Sequence, residues 1–556
     1  MSISVLGGIS LIFLVSGYIF YSKFIARKIG VDDTKITPAH QLRDDRDFIP
    51  TRPFYLLGQH FSAIAAAGPI VGPILACINF GWLPVILWII LGAIFIGAVH
   101  DFSALISSVR HKGSSIVEIV RINISKRAHI AFMIFIWISL IYVLTAFTDV
   151  TAQTFFGTLE ELSESGEFNP HGAVAAASLM YLMLAIIMGL VVKTINPPLW
   201  LTTCVFVPLV LIIVWIGTKI SNIFLLPLKT WYLFILLYCF IASLLPVWLL
   251  LQPRGYLGGF VLYLALLIGI LGLFFGGFPI KQEAIKSYPG IKLGENLFPF
   301  LFVTVACGAC SGFHGLVCSG TTSKQIDKES HTRPVGYGAM LLEGFVAIIA
   351  LSTVLIVSSS QIKGHPAGKI YGDGLAHFLT TIIGKENFVF AATFGAMAFS
   401  TFVFDTVDVA TRLGRYILQE LFNSRNFLSA IIATLITVSI PLGLLLISTK
   451  DAWKTYWLLF GTSNQLLAGL TLFVISVWLK KSGKNSWFTL LPSLFMLIVT
   501  IFSLVLHITE GIKTVASHGF IISPSVVNGI ISCILITIVL ILITDGISKL
   551  KVVKSF

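Results

Sequence analysis

Four ionisable side chains of this 556-residue chain, His60, Asp149, Asp405 and Asp408, fall inside long apolar runs. A carboxylate near the centre of a lipid-spanning helix costs roughly 3 kcal/mol even on the mildest insertion scale, so such a residue marks chemistry, ion movement above all. Asp405 and Asp408 are three apart and share a helix face. A carboxylate pair of this kind suits a proton carrier. The competing reading is a structural ion pair between Asp408 and Arg412, four residues on. The same carboxylates, with Ser400, Thr401 and Thr406, also form an oxygen-rich set that suits Na⁺, a hard cation.

Two other stretches carry chemistry in their backbone. Ala65-Ala-Ala-Gly-Pro-Ile-Val-Gly-Pro-Ile74 and Val305-Ala-Cys-Gly-Ala-Cys-Ser-Gly-Phe-His-Gly315 interrupt apolar segments far apart in the chain. Backbone groups freed in hydrocarbon cost several kcal/mol each unless protein or a wet cavity satisfies them, so a lipid-facing helix has no use for such breaks. Gly68, Pro69, Gly72 and Pro73 in the first stretch bring half-helix ends to mid-membrane, where N-terminal N–H groups carry about half a positive charge and suit a carboxylate. In the second, Ser311 and His314 add donors beside Gly308 and Gly312. These eight residues are the expected substrate contacts. The bland alternatives are close helix packing through small residues and, for His314, a satisfied core histidine.

His60, one to two turns before the first break, is placed with Asp149, Asp405 and Asp408 in ion coupling. His100-Asp101 and Glu343 read as lying near cytoplasmic helix ends, as caps or ion pairs with a basic loop, or as pathway residues. Ser463-Asn464-Gln465 puts three polar groups in one span, for helix-to-helix hydrogen bonding or for lining a pathway.

The elements that must position these residues are helices in a bilayer. The chain is 56% hydrophobic and only 11% charged, with a mean hydropathy of +0.94. A soluble domain of this length could not cover so much apolar surface. Apolar segments of about 20 residues recur end to end, giving about fifteen spans. We centre them on Leu11, Ile70, Ile90, Ile138, Met183, Leu209, Leu237, Leu264, Val305, Ala347, Ala398, Thr437, Leu467, Met496 and Ile536. Asn196-Pro-Pro198 and Leu251-Gln-Pro-Arg-Gly255 mark two breaks between spans. The first segment lacks a basic start and a small-residue cleavage site, and so reads as a retained helix.

Counted over these spans, about 26 of the 37 Lys and Arg fall in odd-numbered loops and the C-terminal tail, which places that side in the cytoplasm and the N-terminus outside. The first loop (Lys23 to Arg52) and the third (Arg110 to Arg127) are the most basic, while the loop after the fourth helix carries Glu160, Glu161, Glu164 and Glu167 without a basic residue. The net charge of +12 is thus explained by topology and anionic lipid headgroups rather than nucleic acid.

With this topology the second and ninth helices, which hold the two breaks, run in opposite directions, as an inverted repeat requires. The expected fold is an all-α polytopic membrane protein with a five-plus-five inverted-repeat core and discontinuous helices 2 and 9. Its parts are a peripheral helix and basic loop (1–56), a first repeat (57–218), two inserted helices (219–296), a second repeat (297–480) and two peripheral helices (481–556). Phe147-Thr-Asp-Val-Thr-Ala-Gln153 faintly echoes Phe404-Asp-Thr-Val-Asp-Val-Ala-Thr411 at the matching place.

The seven cysteines, Cys77, Cys204, Cys239, Cys307, Cys310, Cys318 and Cys533, lie in or beside apolar segments and read as small hydrophobes rather than disulfides or metal ligands. There is no Walker A sequence and no HExxH, so ATP-driven transport and zinc proteolysis lack their parts. No enzyme, cofactor or metal is expected.

Five ordered blocks resemble the carbon starvation protein A family. They are Gly58-Gln-His-Phe-Ser-Ala-Ile-Ala-Ala-Ala-Gly-Pro-Ile-Val-Gly-Pro73, Gly97-Ala-Val-His-Asp-Phe102 with Arg110-His-Lys-Gly113, Ala306-Cys-Gly-Ala-Cys-Ser-Gly-Phe-His314 with Ser319-Gly-Thr-Thr-Ser-Lys324, Val407-Asp-Val-Ala-Thr-Arg-Leu-Gly-Arg415, and Phe460-Gly-Thr-Ser-Asn-Gln-Leu-Leu467. The resemblance implies an inner-membrane uptake system used when preferred carbon runs short, for peptides or pyruvate, driven by protons, with a core similar to that of amino acid, polyamine and organocation transporters. Sodium coupling and a non-transporting nutrient sensor are the alternatives. Gln59 stands where the family pattern leads us to expect a second histidine, and Cys310 and Cys318 replace other small residues. The sequence leaves peptide against pyruvate, and the oligomeric state, open.

Overall fold

The chain folds as helices whose ends follow local chemistry. In this computed structural model residues 2–553 are described, apart from 46, 66, 158–167, 287–295, 425 and 449–451. The acidic loop with Glu160, Glu161, Glu164 and Glu167 therefore lies outside the described residues, as do Arg46 and Ala66. Among the described residues the only extended pairing is two isolated bridges.

Among the described residues thirteen helices are long and apolar enough to cross a membrane, joined by a bent pair, Pro53–Ile64 with Gly68–Phe80, and a shorter apolar helix, Leu228–Leu244. All fifteen predicted centres fall within these elements, and the chain is a multi-pass membrane protein.

The Pro170–Ile195 helix begins on Asn169, whose side chain accepts from the Gly172 N–H at 3.0 Å, with Pro170 in the first turn. It stops on left-handed Asn196 before the paired prolines. The second predicted break needs correcting. Leu228–Leu244 ends before Leu245, and Leu251–Phe275 already contains Pro253, Arg254 and Gly255. A proline in the first turn lacks only an N–H that would have no intrahelical partner there, so it opens this helix instead of separating two.

One helix was not expected. Ala367–Ile383 lies outside the fifteen expected spans, and it is helical over 17 residues. Its glycines are points of close contact: a Cβ on Gly374 would stand 2.3 Å from Cβ of Thr353, and one on Gly372 2.9 Å from the Ala396 nitrogen.

Contacts divide the molecule into two compact units, each drawn from both halves of the chain. The first comprises 1–7, 140–282 and 349–453, and the second 8–139, 283–348 and 454–556. In the first, the long Phe388–Leu421 helix packs on Ala367–Ile383, Phe427–Leu446 and Pro170–Ile195. In the second, Tyr456–Lys481 is the central helix, with its whole apolar window buried. At Gly461 it meets the Val303 carbonyl so closely that a Cβ would lie 1.9 Å from that oxygen.

The basic loop of the second unit is tied down by acidic partners. Arg110 forms a two-pronged pair with Glu329 at 2.9 and 3.0 Å and also donates to the Ile29 carbonyl, while His40 meets Asp327 at 2.8 Å.

Gly461→Ala is expected to push the central helix off its neighbour and destabilise the protein by about 1–3 kcal/mol, the usual cost of overpacking. Thermal unfolding of the purified variant in detergent will show it as a lowered Tm.

Candidate functional site: facing helix breaks and buried charge

Both predicted interruptions are present, and they touch. The first lies between Ile64 and Gly68, where Pro53–Ile64 and Gly68–Phe80 are bent by 50° to one another. Pro69 takes the first turn of the second half-helix, whereas Pro73 lies inside it, so the backbone is freed before Gly68 rather than around Gly72. In the second, Leu297–Val305 passes through a 3₁₀ turn at Ala306–Gly308 and resumes at Phe313–Gly320. Ala306 holds φ of +33°, a left-handed setting disfavoured for a side-chain-bearing residue and the kind of local strain found at functional sites.

Small residues bring the two breaks together. A Cβ on Gly72 would be 2.6 and 2.7 Å from the Thr304 and Val305 carbonyl oxygens, and one on Gly68 2.5 Å from the Cys307 sulfur. Gly308 is equally tight against Ala347, with Pro69 and Pro73 at 3.7 Å. The glycines thus serve close packing at this crossing, and that packing holds the half-helix ends side by side.

Asn464 closes the second break from the central helix. Its Oδ1 accepts from the Phe313 N–H at 3.0 Å, its Nδ2 donates to Ser311 Oγ at 3.1 Å and to Cys307 Sγ at 3.2 Å, and its backbone carbonyl accepts from the Gly312 N–H at 3.1 Å. Ser311 and the N–H groups of Gly312 and Phe313, expected to face a substrate, are therefore engaged by this asparagine. Gln465 donates to the Phe302 carbonyl at 2.8 Å and Ser463 to the Phe460 carbonyl at 3.0 Å, so all three polar residues make hydrogen bonds, those of Asn464 and Gln465 to a neighbouring helix.

Beside the breaks lies a cluster of charge. His314 presents Nδ1 to Asp101 Oδ2 at 2.8 Å and Nε2 to Glu343 Oε2 at 3.0 Å, and His100 Nδ1 meets Asp101 Oδ1 at 2.7 Å. All four residues are buried. Asp101 and Glu343 thus converge on His314 and not on the basic loop, whose partners are Glu329 and Asp327. His60 is also buried, with Nδ1 on Thr322 Oγ1 at 2.8 Å and Nε2 3.7 Å from Cys318 Sγ.

The first unit holds its own ionic centre. Arg254, fully buried, contacts Asp405 Oδ1 at 2.8 Å and Asp408 Oδ2 at 3.2 Å, and donates to Tyr238 Oη. Arg412, the expected partner of Asp408, reaches instead to the carbonyls of Ala242 and Leu245. Arg254 was missed because it was read as part of an interhelical break. The available signal was charge balance: two carboxylates on one helix face require a cation, and this arginine flanks an apolar span. Asp149 stands apart from that pair, accepting from Tyr232 Oη at 2.5 Å and from Gln153 Nε2 at 3.2 Å. A cavity of about 210 Å³ in the same unit is lined by His171, Phe388 and the Lys369–Asp373 pair of the unexpected helix.

A multi-pass helical membrane protein with paired broken helices and buried ionisable centres is the class that fold and site define. Sequence comparison gives the family. The chain belongs to the carbon starvation protein CstA family, whose model matches residues 2–371 and 361–503. It is 33% identical to a peptide transporter CstA of Campylobacter jejuni over 87% of this chain and 77% of that one. It is 29% identical to a pyruvate/proton symporter of Escherichia coli K12 over 89% of this chain and 80% of that one. These relatives are transporters, not enzymes. Among solved structures a manganese transporter of Eremococcus coleocola aligns at a TM-score of 0.48 with 14% identity, covering 92% of this chain and 99% of that one, too slight a likeness to bear on function.

Arg254→Met is expected to cost about 3–5 kcal/mol by leaving two carboxylates uncompensated, and adding Asp405→Asn and Asp408→Asn should recover most of it. Thermal unfolding of the single and triple variants tests this coupling. Asn464→Ala should cost about 1–3 kcal/mol through the unmet Phe313 N–H and Ser311 hydroxyl, also read from the unfolding midpoint.

Proposed function

We propose that this protein is a secondary active transporter that imports a small carboxylate-bearing nutrient, pyruvate or a short peptide, across the bacterial inner membrane by proton symport during carbon starvation. The observation that carries this reading is the direct contact between the two interrupted helices. Paired broken helices place half-helix ends, with their partial charges, around a solute near mid-membrane, which is the arrangement of inverted-repeat transporters.

Further support comes from how the segments sort. The first two helices of each proposed repeat belong wholly or mainly to the second unit, and the fourth of each belongs to the first unit. The first, second and fourth helices of the two repeats thus sort alike, as a five-plus-five inverted repeat requires, whereas the fifth, Leu199–Lys219 and Tyr456–Lys481, fall in different units. The basic loops favour an outside N-terminus and a cytoplasmic C-terminus.

The substrate carboxylate is assigned to the start of the Gly68–Phe80 half-helix, with Pro69, Gly72, Pro73 and Gly308 shaping the crossing. Ser311, Gly312 and His314 contribute through the second half-helix once Asn464 exchanges partners. His60 lines the inner pathway. Asp405 and Asp408 serve as counter-ions of Arg254. The names of the relatives favour both candidate solutes, and the proton named for the E. coli symporter favours H⁺ over Na⁺.

Purified protein in proteoliposomes should accumulate labelled pyruvate or a dipeptide under an imposed inward pH gradient and not under a sodium gradient alone. Absence of uptake for both solutes under both gradients would refute the transporter reading, and uptake driven by sodium alone would refute proton coupling.

A further inference from the structure

We propose that Asp101, His314 and Glu343 form the proton-binding site of this protein, with Glu343 as the group that takes and releases the coupled proton. This rests on the transporter reading for the word coupled; the proton site itself rests on the geometry.

The three residues come from three elements of one unit. Asp101 is on Ala98–Arg110, His314 follows Gly312 at the second break, and Glu343 is on Ala339–Leu355. Each ring nitrogen of His314 faces a carboxylate oxygen, at 2.8 and 3.0 Å. A neutral imidazole carries only one N–H. Meeting both carboxylates therefore requires either an imidazolium between two carboxylates, or a neutral ring with one carboxyl protonated. Both arrangements hold the same number of protons and leave the cluster with a net charge of −1.

That residual charge has no compensation nearby. Among the described residues no Lys or Arg forms an ion pair with Asp101 or Glu343. The other titratable groups facing the site are His100 on Asp101, His60 from the preceding half-helix, and the buried thiols of Cys307, Cys310 and Cys318. None of the thiols supplies positive charge.

Burying an unpaired charge is costly, and one further proton makes the cluster neutral. Glu343 is where that proton fits. Its Oε2 contacts His314 at 3.0 Å, while Oε1 of this fully buried carboxylate has no hydrogen-bond donor among the described residues. Asp101, by contrast, is met by a histidine nitrogen on each oxygen.

A metal ion is the other occupant that carboxylates and imidazoles bring to mind, but among the described residues no group of three or more such side chains is arranged to hold one. A link to the solute is built in. His314 rides on the half-helix that begins at the second break, so displacement of that half-helix changes its contact with Glu343 and hence the affinity for the proton.

Infrared spectroscopy of the purified protein across the neutral pH range tests the site without transport. The wild type should show a carboxylic-acid carbonyl band that titrates reversibly. A component of that band should vanish in Glu343→Gln and persist in Asp149→Asn. A wild type without a titrating band, or a full band in Glu343→Gln, overturns the assignment. Should Glu343→Gln fail to fold, Glu343→Asp must move the midpoint, and an unchanged midpoint is equally fatal.

In proteoliposomes, Glu343→Gln should lower pH-driven accumulation by at least about tenfold while leaving solute counterflow intact. Accumulation at the wild-type level would place the coupled proton elsewhere. If the infrared component behaves as expected but the wild type moves neither pyruvate nor dipeptides, the proton site stands and the transporter reading fails.

Discussion

Charge buried in a helical membrane protein must be balanced within reach of a hydrogen bond, and each unit of this protein is arranged around that demand. In one, a single imidazole stands between two carboxylates, with a second histidine behind. In the other, a single guanidinium stands between two carboxylates, with a tyrosine behind. Removing the central basic side chain from either centre leaves its carboxylates without their partner in a medium that penalises unpaired charge heavily. The helices carrying these residues are held in register as much by this requirement as by apolar contact.

The two centres differ in what they permit. Arg254 keeps its charge under all ordinary conditions, and Asp405 is about one-third exposed while Asp408 is buried. That arrangement fixes helices against one another and offers little room for a change in proton number. His314 is different, since an imidazole changes charge in the physiological range when unperturbed, and its proton can be shared with either neighbour. In the proposed mechanism the centre beside the helix breaks is the one that changes its proton number, and the one in the other unit holds its helices together. The second break is itself stabilised by Asn464, which replaces lost helix hydrogen bonds with side-chain ones. Such bonds are modest in strength and exchangeable, a useful property where a helix end must release one partner to take another.

Much of this was legible before the fold. The fifteen apolar segments were found because crossing a bilayer demands a fixed length of apolar chain, a requirement written locally in the sequence. The two interruptions were found because glycine and proline at lipid depth contradict their surroundings. The helix at Ala367–Ile383 carries Lys369, Asp373 and His377 and so lacks an unbroken apolar run, and only the approach of Thr353 and Ala396 shows its glycines to be packing contacts. Arg254 was missed because a Pro-Arg-Gly run reads as a turn, although a proline in a first turn opens a helix as readily as it ends one.

The sequence by itself determined the membrane setting, the two interrupted segments and the family. These depend on hydropathy, on backbone chemistry and on ordered motifs, all of them properties of short stretches. Only the tertiary structure decided which charges meet: Asp408 with Arg254 rather than Arg412, and His314 with Asp101 and Glu343 rather than with solvent or a loop. Partners more than a hundred residues apart carry no local mark of one another. Electroneutrality dictates that a buried carboxylate must find a cation, but it takes the packed helices to select which one stands within 3 Å.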